Sequence, residues 1–79
     1  MSRTEIYNTL NDVFRDVFDD SSICVDDGTT SSDVDGWDSL AQVLIVGELQ
    51  NELGVKFTSA EVNSCSNVGE FVDAIMAKL

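Results

Sequence analysis

The sequence predicts an all-α fold: a small four-helix bundle of three main helices and one short one, with a long first loop. Three observations carry that reading. Apolar residues recur at helical spacing in three separate stretches, helix-capping residues stand near the start of each, and nothing beyond residues 55–57 reads as a strand. With 79 residues and 43% apolar composition, the chain has room for one hydrophobic core and a single domain spanning 1–79. That is near the lower size limit for a core without staples.

The first helix starts at Ser2. Ser2-Arg3-Thr4-Glu5 has the form in which the cap and the third helical residue satisfy each other's backbone amides. Ile6, Leu10, Val13, Phe14 and Val17 then fall on one face, with Asn8, Asn11, Asp12 and Arg15 elsewhere. Asp19-Asp20-Ser21-Ser22 ends it. Residues 19–38 form the long connection, and a loop of that length in a compact domain is usually functional. Ile23, Cys24 and Val25 should tack it to the core, whereas Gly28-Thr29-Thr30-Ser31-Ser32 reads as a flexible, turn-rich piece.

The second helix should run from Ser39 to Leu53, with Gly54 ending it. Leu40, Ala41, Val43, Leu44, Ile45 and Val46 cover almost its whole circumference, more than one face of a small bundle can bury. Leu40 and Leu44 lie four apart on the flank beside Ser39. Part of this surface should stay exposed as a docking site, the alternative being a central helix buried all round. Val55-Lys56-Phe57 then leads to a second capping box, Thr58-Ser59-Ala60-Glu61, and a short helix to about Asn63. The last helix begins near Ser66-Asn67. Its apolar residues, Val68, Phe71, Val72, Ile75, Met76 and Leu79, make the clearest amphipathic pattern in the chain.

Charge narrows the function classes. Fifteen acids face only Arg3, Arg15, Lys56 and Lys78, a net charge of −11 that repels nucleic acid and anionic membranes and draws basic protein surfaces. Seven of the acids, Asp19, Asp20, Asp26, Asp27, Asp33, Asp35 and Asp38, crowd into the long loop. No stretch reaches the roughly 18 apolar residues of a membrane helix, and the segment from Met1 to Glu5 lacks the apolar core of a signal peptide. A cytoplasmic monomer with no membrane insertion is expected. Cys24 and Cys65 have no CxxC spacing and no histidine to complete a metal site. They should be reduced, partly buried small hydrophobes, with a disulfide between them left open.

Catalysis is not expected. Without histidine there is no Ser-His-Asp or Cys-His arrangement, and no glycine-rich phosphate loop is present. A bundle this small offers no deep cleft in which to shift a carboxylate. A calcium loop fails too. Aligning Gly36 with the fixed glycine of an EF-hand sets Ser31 and Gln42 at the first and last ligand positions, where carboxylates are required. A weak divalent-ion site is all that arrangement allows, and no structural metal is expected.

Asp38-Ser39-Leu40 closes the acidic loop and opens the second helix. A serine there stands at the positive end of a helix, a favourable place for an attached phosphate. Asp38 could hold a divalent ion or orient the hydroxyl, and Leu40 offers an apolar contact. The structural alternative is that Ser39 is simply a cap or first-turn residue.

Gly36-Trp37-Asp38-Ser39-Leu40, followed by Val43, Ile45-Val46, Leu49, Leu53-Gly54-Val55-Lys56-Phe57 and Asn67-Val68, resembles an acyl carrier protein. The resemblance runs from the first helix to the end of the chain. It implies a non-catalytic carrier on which Ser39 receives 4′-phosphopantetheine from coenzyme A, through a separate Mg²⁺-dependent phosphopantetheinyl transferase. Asp38 would help bind that Mg²⁺, and Leu40 would contact the transferase and later partners. Leu44, Glu48 and Glu52 on the second helix would take part in partner binding. The arm's thiol would carry acyl groups as thioesters to loading, transfer or condensing enzymes of a fatty-acid, polyketide or other acyl pathway.

Departures from the housekeeping pattern point to a specialised carrier. Leu44 stands where such carriers have an acid, Gly47 where they have a large apolar residue, and Gln50 and Asn51 where they have acids. An aminoacyl or peptidyl carrier is the near alternative. From another class comes an unmodified acidic adaptor that binds a partner through the second helix.

Overall fold

Ser2 and Glu5 open helix α1 (Arg3–Phe18) with the reciprocal cap their spacing predicts. Glu5 N donates to Ser2 Oγ at 3.2 Å, and Ser2 N donates to Glu5 Oε1 at 3.0 Å. The structure is a computed structural model and describes residues 2–79. Three further helices follow, α2 (Ser39–Leu53), α3 (Ser59–Asn63) and α4 (Val68–Lys78), with a single 3₁₀ turn at Ser31–Asp33. No strand forms among the described residues.

Each boundary has a local cause. Asn67 caps α4 by accepting from Glu70 N at 2.8 Å, and Thr58 caps α3 by accepting from Glu61 N at 3.1 Å. Gly54 ends α2 with φ +68°, in the left-handed region where a side chain would be strained. The core lies between α1, α2 and α4. Ile6, Leu10 and Phe14 meet Ile45, Leu49, Val72 and Ile75, all fully or almost fully removed from water. Trp37 sets its ring edge-on to Phe14, 4.9 Å between centroids at 86°, and so fixes the end of the loop just before α2.

The long connection is stitched down where a flexible piece was expected at residues 28–32. Thr29 is buried, and its hydroxyl accepts from Asp26 N at 2.9 Å. Asp33 closes the 3₁₀ turn by accepting from Thr30 N at 2.9 Å. Threonine and aspartate side chains at this spacing take up the loop's own backbone donors.

Longer bonds do the rest. Val25 N donates to the buried Asn11 side chain at 2.7 Å. The amides of Val68 and Gly69 donate to Thr29 O at 2.8 Å and Asp27 O at 3.0 Å, so the loop satisfies the start of α4. Arg3 then binds Asp27 and Asp73, both at 2.7 Å, while Tyr7 donates its hydroxyl to the same Asp27 carboxylate.

Cys24 corrects a second expectation. It is exposed, because Ile23 and Val25 on either side of it take the inward positions; Cys65 is half-buried, and both are free thiols.

Candidate functional site

Asp38 caps α2, its Oδ1 accepting from Ala41 N at 2.9 Å. Ser39 is therefore a first-turn residue and is exposed. The sequence left Ser39 as either the cap or a first-turn residue, and the structure makes it the latter. Of the first-turn amides, Ala41 N goes to Asp38 Oδ1 and Gln42 N to Asp38 O at 2.9 Å. Those of Ser39 and Leu40 make no hydrogen bond among the described residues and form part of the positive end of the helix dipole, which attracts anions. Asp38 uses one carboxylate oxygen, Oδ1, in the cap.

On one flank of α2 the apolar side chains stay in water. Leu40 is 70% exposed, Val43 67% and Leu44 52%. Ala41, Ile45 and Leu49 take the core instead, so the helix is not buried all round. Glu48 and Glu52 do not sit with Leu44 alone. They turn towards α1 and line a cleft of about 280 Å³ with Asp12 and Asp16. Contact with the Asp16 carboxylate, then partial burial, then the charges of Asp16 and Glu52 raise the Glu48 carboxyl above its ordinary range.

The other flank of α2 faces a groove of about 800 Å³ whose far wall is α3 and the segment before it. Ser39 and Asp38 lie along it, as do Trp37, Gln42, Val46, Gln50, Phe57 and Val62. Two carboxamides in it are held by their oxygens. Gln42 Oε1 accepts from Trp37 Nε1 at 2.5 Å, and Gln50 Oε1 accepts from Phe57 N at 2.9 Å. Neither residue was singled out from the sequence as a site residue. The signals were the tryptophan five positions before Gln42 and the missing acid at Gln50. Among the described residues, no group of three or more Cys, Asp or Glu side chains is placed to hold a metal ion.

A solvent-facing serine oxygen, two free amides at a helix start and a groove leading away from them fit a phosphate-linked arm. A family model described as a phosphopantetheine attachment site matches residues 5–75. The chain belongs to this family.

It is thus a carrier of covalent 4′-phosphopantetheine and not a catalyst. The carrier is also similar to a solved holo acyl carrier protein from Geobacter metallireducens, at 35% identity and a TM-score of 0.84. That match covers 91% of this chain and 83% of the other. Among curated protein sequences nothing matches the carrier. The four helices agree with the all-α bundle its sequence predicts, and its role is that of an acyl carrier. No helix among the described residues is long and apolar enough to cross a membrane.

Proposed function

We propose that Ser39 is the attachment residue and that this single carrier domain, residues 1–79, serves a dedicated acyl pathway in the cytoplasm as a monomer. One observation supports the first part above others. Asp38 takes the cap and leaves the Ser39 hydroxyl exposed beside two unpaired amides. In the transfer, Ser39 Oγ bonds to the phosphorus that bears pantetheine in coenzyme A. The pyrophosphate P–O bond breaks, the adenosine bisphosphate leaves with its electron pair, and the hydroxyl proton passes to a base on the transferase. Asp38 would supply its second carboxylate oxygen to the Mg²⁺ that the transferase uses. The new phosphodiester then rests on the amides of Ser39 and Leu40.

The terminal thiol forms a thioester with the acyl group, a bond that transfers readily because a thiolate leaves readily. Leu40 and Leu44 offer partners an apolar contact. The wider acidity attracts the transferase and the enzymes that load, transfer or condense the acyl group, while a small contact lets them go quickly. Leu44, Gly47, Gln50 and Asn51 make the α2 surface more apolar and less acidic than a housekeeping carrier needs, which supports a specialised role.

Intact mass after incubation with coenzyme A, Mg²⁺ and a broad-specificity transferase tests the assignment. A gain of one phosphopantetheine, absent in Ser39→Ala, is expected. No gain in a folded sample would return Ser39 to a structural residue and favour the unmodified adaptor. The holo protein should also be a poor substrate for housekeeping fatty-acid enzymes, and loading as efficient as that of their usual carrier would refute the dedicated role.

A further inference from the structure

Between Thr58 and Cys65, one polar contact reaches outside the segment among the described residues. It is the ion pair from Lys78 Nζ, in the last turn of α4, to Glu61 Oε2 at 2.7 Å. The other hydrogen bonds there close on the segment itself. Both flanks are anchored. Before it, Phe57 N donates to Gln50 Oε1 at 2.9 Å, and the Phe57 ring packs on Phe71 at 5.4 Å between centroids. After it, Asn67 caps α4 and Val68 N donates to Thr29 O at 2.8 Å. Between those anchors α3 buries no residue, and the segment rests on the core through the half-buried Val62 and Cys65.

The ion pair can open without undoing the helix cap. Glu61 divides its carboxylate, Oε1 accepting from Thr58 N at 3.0 Å and Oε2 taking Lys78. Lys78 Nζ also lies over the Phe57 ring, 5.6 Å from its centre, and keeps that contact when Glu61 moves away. Both side chains of the pair are partly exposed, so dissolved ions reach it.

We infer that Lys78 latches α3 to the end of α4, and that ionic strength sets how often this wall of the groove beside Ser39 swings out. The latch is independent of any group attached to Ser39. Salt then has two opposite effects on one molecule. It relieves repulsion among the excess acids, which firms the core, and it screens the one charged tie on α3, which loosens the groove wall.

Amide exchange followed by NMR tests this, with Val62 and Ser64 reporting on α3 and the buried Val72 on the core. Raising NaCl from about 20 mM to about 0.5 M should slow exchange at Val72. The same change should speed Val62 and Ser64 by roughly two- to fivefold, the scale of one exposed pair. Lys78→Met keeps an apolar stem over Phe57 and removes the charge. It should speed the α3 amides by a similar factor at low salt and abolish their response to salt. Glu61→Gln, which retains an oxygen for the cap, should do the same. Lys56→Met makes an equal change in net charge at an exposed position and should leave α3 as it is. Exchange at α3 that slows with salt alongside Val72, or that is unchanged in Lys78→Met, would overturn the inference. So would equal acceleration of α3 in Lys56→Met, or of Val72 in Lys78→Met, because net charge or global stability would then be the cause.

Discussion

Asp38 has two tasks that substitution can separate. As the cap of α2 it satisfies Ala41 N, and as a carboxylate it is proposed to hold Mg²⁺ during arm transfer. Asparagine caps a helix as well as aspartate does, whereas alanine costs about 1 kcal/mol. Asp38→Asn should therefore melt with the parent protein and Asp38→Ala below it, while both gain the arm more slowly. Thermal melts and the rate of mass gain check the two parts. A normal rate in Asp38→Asn would remove the metal role. At this scale the sequence placed the start of α2 at Ser39, and the structure begins the helix there. It did not settle whether Ser39 caps the helix or stands in its first turn, because Asp38 beside it can also accept from the first-turn amides.

Among the elements, the helices were legible and the loop was not. Capping boxes and apolar spacing are local signals, and α1, α3 and α4 follow them closely. The α2 residues were ambiguous because apolar side chains surround that helix. Packing against α1 then selected Ala41, Ile45 and Leu49 and left Val43 in water. Besides its local side-chain bonds, the loop is ordered by backbone bonds between residues about 40 positions apart, such as Gly69 N to Asp27 O at 3.0 Å, and no local pattern records these. That contact requires a bare α-carbon. A Cβ on Gly69 would fall 2.8 Å from Asp27 O. Gly69→Ala should lose roughly 1–3 kcal/mol, the usual range for overpacking. Urea titration would read this directly, and an unchanged midpoint would show that the loop yields freely.

Over the whole molecule, charge is divided unevenly. Hydrogen bonds from Tyr7 and Arg3 hold the Asp27 carboxyl below its ordinary range, and Lys78 and Thr58 do the same for Glu61. Such groups add stability above their unfolded pKa and lose it as pH falls through the folded value. Glu48 has the opposite sign. Its raised folded pKa favours the native state at low pH, and that contribution is lost as pH rises through it. Glu48→Gln should thus raise the melting temperature at pH 7, with the gain vanishing below about pH 4. Added NaCl or Mg²⁺ should raise it too, and less so in that variant, because Asp12, Asp16 and Glu52 then repel one neighbour fewer. Equal salt responses would show that the repulsion lies elsewhere.

Helix α3 buries no residue of its own. Five residues cannot sustain a helix unaided, and this one is tied by its Thr58 cap, by Glu61 to Lys78 at 2.7 Å and by the half-buried Val62 against the core. Its amides should be among the first in the chain to exchange with deuterium. The groove therefore has one stiff side and one yielding side. Its capacity is set by whatever presses on α3, as a sprung jaw takes the width of what it grips.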